Sequence, residues 1–133
     1  MILDTSAIIA ILFEEDEAAD FAALIDKADS LKLSAVNFVE LEIVSRRTRN
    51  PSALGLIDDF IAAGEIEIVP VSVEMAYLAR AAFRDFGKGR HPAQLNFGDC
   101  FAYALAKATG EALLFKGNDF SLTDVTPALA SRA

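Results

Sequence analysis

The sequence predicts an α/β protein: a mainly parallel sheet with helices packed on both faces, a three-layer arrangement, in one domain over residues 1–133. Three observations predict it. Short apolar runs alternate along the chain with segments of helical period, and parallel strands need such crossovers. The 133 residues amount to about one domain at roughly 150 residues each. Hydrophobic residues make up 53% and charged residues 24%, which suits a packed core and excludes intrinsic disorder. There is no repeat, low-complexity tract or Gly/Ser linker to divide the chain.

Residues 1–4 read as a short strand ending at Asp4. Residues 6–13 read as a helix. Residues 16–28 form a clearer one, because Phe21, Leu24, Ile25 and Ala28 recur at i, i+3, i+4 and i+7. A strand at 31–34 precedes a helix at 36–47, with Asn50-Pro51 as its stop and Ser52 as the cap of the next helix, which ends at Gly64. Residues 65–69 alternate polar and apolar up to Pro70, as a strand does. The helix at 74–86 turns Met75, Leu78, Ala82 and Phe86 inward, and residues 87–96 are loop. A helix at 97–109 closes on Gly110, a buried strand follows at 112–115, and a last strand is expected near Val125.

The net charge of −8 argues against non-specific coating of nucleic acid. The imbalance is local: residues 1–40 hold nine acids and two bases. Seven of the twelve cations cluster as Arg46, Arg47, Arg49 and as Arg80, Arg84, Lys88, Arg90. These read as a helix C-terminal cluster and a solvated helix face before they read as a phosphate track. The single cysteine, Cys100, excludes an internal disulfide and fits a reducing cytoplasm. Cys100 reads as a buried small hydrophobe, and Phe97, Phe101, Tyr103 and Leu105 read as core. His91, in its Gly/Pro loop, has no evident partner. No apolar run approaches the roughly 18 residues of a membrane span. The apolar start carries Asp4 and reads as core, not as a signal peptide.

Sites in open parallel sheets form outside the carboxyl ends of the strands. Asp4 ends the first strand, Asp99 opens the helix at 97–109, and Asp119 follows the strand at 112–115. Each has a plain structural reading: an N-cap, a capping-box acid three residues after Asn96, and a turn residue. Together on one edge they repel one another unless a cation joins them. Glu40 shares the helix face of Val36, Ile43 and Val44, at about 100° per residue, and an acid among aliphatics is costly unless paired or metal-bound. Glu42 lies on the opposite side, spaced for an ion pair with Arg46. Carboxylates alone select hard cations such as Mg²⁺ or Mn²⁺, and one His and one Cys do not make an ordinary zinc site. The matching chemistry is phosphodiester hydrolysis. Lys116, at a strand end, is a candidate phosphate contact or a solvated loop lysine.

The stretches MILDTSAIIAIL, SAVNFVELEIV and LNFGDCFAYALAKATGEALLFKGNDF resemble the PIN-domain family, specifically VapC-like toxins, from Met1 to about Leu129. The resemblance implies a PIN-like α/β/α sandwich and a Mg²⁺-dependent endoribonuclease that forms a homodimer and is silenced by a cognate antitoxin. Asp4, Glu40, Asp99 and Asp119 match the family's acidic quartet, with Asp4 and Asp99 as the direct metal ligands and Ser6 at a supporting hydroxyl position. Phe115 and Gly117 depart from the Thr and Asp that many relatives carry, so Asp119 is the only acid of the last arm. The implied antitoxin lays its tail along the first two helices and inserts an Arg among Asp4, Asp99 and Asp119. Three rival readings share these acids. A phosphatase with Asp4 as nucleophile would carry a second Asp where Ser6 stands. A phospho-acceptor signalling domain would carry adjacent acids after the first strand. A catalytically degenerate fold would be kept for partner binding alone.

Overall fold

The computed structural model describes residues 1–47 and 55–129. Strand β1 (Ile2–Leu3) leads into α1 (Thr5–Leu12) and α2 (Ala18–Lys27). Next come β2 (Lys32–Ser34), α3 (Ala35–Arg46), α4 (Leu56–Ala63) and β3 (Glu67–Val69). The chain ends with α5 (Val73–Phe86), α6 (Phe97–Thr109), β4 (Leu113–Leu114) and a 3₁₀ turn at Phe120–Leu122. The expected stop at Asn50-Pro51, the Ser52 cap and Arg49 lie outside the described residues. No described helix is long and apolar enough to cross a membrane.

All strands pair in parallel, in the order β3-β2-β1-β4. Ile2, Leu3, Leu113 and Leu114 are fully buried, because a parallel sheet covered on both faces has no solvent side. Successive residues of β1 and β4 point to opposite layers. Ile2 and Leu113 pack with α5 and α6, through Ala79, Ala82 and Leu105. Leu3 and Leu114 pack with α1, α2, α3 and α4, through Ile8, Phe21, Leu41 and Ile57. Each such aliphatic burial contributes roughly 1.5–3 kcal/mol, so four residues in two short strands anchor both outer layers. The expected last strand shrinks to one parallel bridge, Leu113 with Pro127. There Leu113 donates to Thr126 at 2.9 Å and Ala128 donates to Leu113 at 2.8 Å.

The helix ends follow their sequence signals. The side chains of Asp4, Ser34 and Ser72 cap α1, α3 and α5. Gly110, at φ 72°, ends α6 in the left-handed region where glycine is favoured. The face of α3 differs from expectation. Its buried residues are Asn37, Leu41 and Ser45, while Val39 and Ile43 are 58% and 49% exposed. The branched residues counted as the core stripe instead line a surface groove. The polar face is buried because α3 packs closely on both α1 and α6.

Candidate active site

The carboxyl edge of β1 and β4 holds the acids. The Asp4 N–H donates to Leu114 O at 3.0 Å, which sets the end of β1 beside the loop after β4. Asp4 is 3% exposed. Its Oδ2 accepts the Ser6 N–H at 3.0 Å and the Ser6 hydroxyl at 2.6 Å. Ser6 Oγ in turn accepts the Lys116 N–H at 3.0 Å. Ser6 thus fixes the Asp4 carboxylate and ties α1 to the loop after β4. The other oxygen, Asp4 Oδ1, is buried and has no hydrogen-bond partner, a costly state for a carboxylate.

Asp99 takes the capping role expected of it. Its Oδ2 accepts the Asn96 N–H at 3.0 Å while Asn96 Oδ1 accepts the Asp99 N–H at 2.9 Å, a complete capping box. Glu40 turns toward the same edge. Its Oε1 accepts from Asn37 Nδ2 at 3.3 Å, and a Cβ on Gly98 would lie 2.0 Å from its Oε2. Glu42 is exposed and paired with Arg46 at 2.7 Å. Of the two glutamates it is Glu40 that lies against the start of α6, although the apolar face used to choose it is not the buried one. Asp119 is exposed at the start of the 3₁₀ turn, with no capping bond from its side chain.

The electrostatics join these groups. Burial pushes the Asp4 carboxyl up to about 6, against the Ser6 hydrogen bonds, and the Glu40 charge adds to the rise. Burial also pushes Asp99 up to about 7, and the charges of Asp4, Glu40 and Asp119 raise it further. Both acids sit at helix N-termini, which favour anions by about 0.3–1 kcal/mol; desolvation and mutual repulsion win. Both are protonated more readily in the folded chain than in the unfolded one, so without metal the stability falls as pH rises from about 5 to 7.5. The carboxyls held low, Glu111 by hydrogen bonds from Lys32 and the amino terminus and Asp124 by those from Tyr103 and Lys107, act below that window. Urea midpoints of chelator-treated protein at both ends of the window check this, and a higher midpoint at pH 7.5 refutes it.

The donor set fits a hard divalent cation. It consists of carboxylates, one of them with a buried orphan oxygen, whose repulsion a cation relieves. As the side chains stand, no three of His, Cys, Asp or Glu among the described residues are close enough together to hold an ion. Asp99 is turned to Asn96 and Glu40 to Asn37.

Sequence reasoning missed Asn37. It is fully buried and also donates to Gly98 O at 3.0 Å, and its own carbonyl accepts the Thr5 hydroxyl at 3.4 Å. A polar residue three before Glu40 was its only signal. The Lys116 ammonium does not face the acids, since it pairs with Glu15 at 2.9 Å and Glu17 at 3.3 Å. Its contribution to the site is the backbone N–H. His91 has a partner after all, because its Nδ1 accepts the Ala93 N–H at 3.0 Å. Cys100 is buried as expected, but Phe97, expected in the core, is 72% exposed.

A parallel α/β/α sandwich with acids along the carboxyl edge of its central strands is the architecture expected of a PIN-like protein. The PIN domain profile matches residues 1–125, and the chain belongs to the PIN-domain family. It is similar to VapC ribonuclease Mb0625 of Mycobacterium bovis, 50% identical over 133 residues, covering 99% of this chain and 100% of that one. Ribonuclease VapC42 of Mycobacterium tuberculosis is 42% identical over 129 residues, 96% of this chain and 98% of that one. Among solved structures, Mycobacterium tuberculosis VapC20, described as a sarcin-ricin loop cleaving toxin, superposes with a TM-score of 0.76. It shares 14% identity over 94% of this chain and 95% of that chain. A toxin–antitoxin complex from Klebsiella pneumoniae gives a TM-score of 0.68 at 17% identity, over 92% of each chain. These two structures bear on the fold.

Proposed function

We propose that the protein is a Mg²⁺-dependent endoribonuclease, the toxin of a toxin–antitoxin pair, working in the cytoplasm. The observation that carries this reading is the buried, unpartnered Asp4 Oδ1 on the same sheet edge as Asp99 and Glu40. Half-identity over the full chain to proteins named VapC ribonucleases supports it. Asp4 and Asp99 would hold the ion, with Glu40 and Asp119 near it directly or through water. Mg²⁺, for which Mn²⁺ can substitute, supplies an activated water and a positive charge at the phosphoryl oxygens. Ser6 keeps Asp4 in place through Oδ2 and leaves Oδ1 free. Asn37 and the missing side chain of Gly98 give Glu40 its position.

Glu40→Gln and Glu42→Gln test the assignment. Glu40→Gln loses about 10–100-fold in RNA cleavage or Mn²⁺ affinity, in the range for groups that position a metal site. Glu42→Gln, which loses only a surface pair worth about 0–1 kcal/mol, keeps full activity. Equal loss in both variants sinks the assignment. Phosphoryl transfer from acetyl phosphate without RNA cleavage would favour the phospho-acceptor reading.

The antitoxin would silence the site by placing a guanidinium among Asp4, Asp99 and Asp119, since Arg forks onto carboxylates in two hydrogen bonds. The apolar surface of α1 and α2 would carry its tail. Changing that Arg to Ala should restore cleavage in the assembled complex more than it weakens assembly, and a complex that stays inactive refutes this account. The protein would also pair with a second copy, for which Val73 and Tyr77 of α5, 75% and 64% exposed, offer apolar surface. Sedimentation equilibrium reads the pairing.

A further inference from the structure

Phe97 is the first residue of α6, two before Asp99, and its ring is 72% exposed. Leaving a phenylalanine in water forgoes roughly 1.5–3 kcal/mol of burial. The ring packs edge-on against Phe101, centroids 5.0 Å apart and planes at 65°, while most of its surface stays open. It stands between two surface grooves and lines both. One runs between α5 and α6 past Phe83 and Phe101; the other runs along α3 past Val39 and Ile43 and holds Glu40. Their volumes, about 610 and 490 Å³, lie in the range of small-ligand pockets.

The charges along these grooves differ from those of the rest of the molecule. In a chain of net charge −8, every charged side chain lining them among the described residues, except Glu40, is an arginine: Arg80, Arg84 and Arg90 in the first, Arg47 in the second. None of the four forms an ion pair among the described residues. Arg80 lies over the Tyr77 ring, 5.7 Å from its centroid. An open aromatic face flanked by unpaired guanidinium groups is what single-stranded nucleic acid requires: a ring for a base and cations for the backbone on either side.

We propose that Phe97 is the stacking platform for one base of single-stranded RNA next to the bond that is cut, with Arg84 and Arg90 on one side and Arg47 on the other taking its phosphates. The inference rests on the nuclease reading of the acidic site and adds a substrate subsite to it. Because Phe97 and Glu40 line one groove, a base on this ring brings its sugar and phosphate toward Glu40. Selection would follow strandedness more than base identity, since every base has a face to stack.

The chain contains no tryptophan, so Phe97→Trp introduces a single reporter at the platform. In the Asp4→Asn background, with Mg²⁺, a single-stranded 10-mer oligoribonucleotide should quench its emission. The same oligomer annealed to its complement should not. In the otherwise native chain Phe97→Ala should weaken binding about 5–100-fold and raise KM more than it lowers kcat, and Phe97→Tyr should restore both. Bound RNA that leaves the emission unchanged overturns the proposal. So does emission that changes with protein concentration alone, together with loss of a dimer in Phe97→Ala, which assigns the ring to a contact between copies. A native chain that cuts and binds RNA while Phe97→Ala behaves identically overturns the subsite and leaves the nuclease standing. A native chain that neither cuts nor binds RNA overturns both.

Discussion

Asp99→Asn yields a folded protein that does not cleave RNA and that, with metal chelated, melts at or above the native temperature. Asparagine keeps the shape of aspartate and an oxygen that can accept the Asn96 N–H, so the start of α6 survives. The change removes a charge that burial and the neighbouring Asp4, Glu40 and Asp119 have already pushed up to about 7. At pH 7.5 the native metal-free chain carries that repulsion and the variant does not, so the variant gains stability. Asp4→Asn should behave alike. Asp99→Ala should not, because loss of the capping acceptor costs about 1 kcal/mol on its own. Thermal melts in chelator and a cleavage assay in Mg²⁺ read the two effects separately. Cleavage retained by Asp99→Asn removes Asp99 from the site, and a melting temperature well below native shows its charge to be structural.

Gly98→Ala should damage activity through Glu40 while sparing the fold. The new methyl group would stand 2.0 Å from Glu40 Oε2 and 2.4 Å from its Cδ. What it meets is the free end of a flexible side chain, so the carboxylate swings away and the backbone stays. The Asn37 bond to Glu40 is lost with it. Cleavage should fall by about 10–100-fold, as for loss of a group that positions a metal site. The double variant Gly98→Ala with Glu40→Gln should be no worse than either single one, since both remove the same interaction. Additive losses would mean that Gly98 matters for another reason, and native activity in Gly98→Ala would take Glu40 out of the chemistry.

Asp4 and Asp99 stand out in the sequence because each ends or begins an element. Asp4 follows the only apolar pair of the first strand, and Asp99 stands three after Asn96, a spacing that also signals a helix start. The parallel sheet was legible from the alternation of elements, although β1 and β4 are two residues each. The orientation of α3 was not. Counting apolar residues favours Val36, Ile43 and Val44, but close helix packing selects small or hydrogen-bonded side chains, here Asn37 and Ser45, together with Leu41. Phe97 misled in the opposite direction. Its bulk argues for the core, and only the fold places the first residue of α6 outside it. The engagement of Lys116 by Glu15 and Glu17 joins residues about a hundred positions apart, which no local pattern encodes.

The strand order has a consequence for the nascent chain. β1, made first, is central, and its partner β4 is made among the last elements. Translation delivers about 5–20 residues per second from the N-terminus. Asp4 and Glu40 thus leave the ribosome well before Asp99, the Lys116 N–H that holds Ser6, and Asp119. A chain caught between those points has α1 and α2 on display but no complete acidic edge. If these acids form the site, it cannot be complete before Asp99 and the loop after β4 have been made.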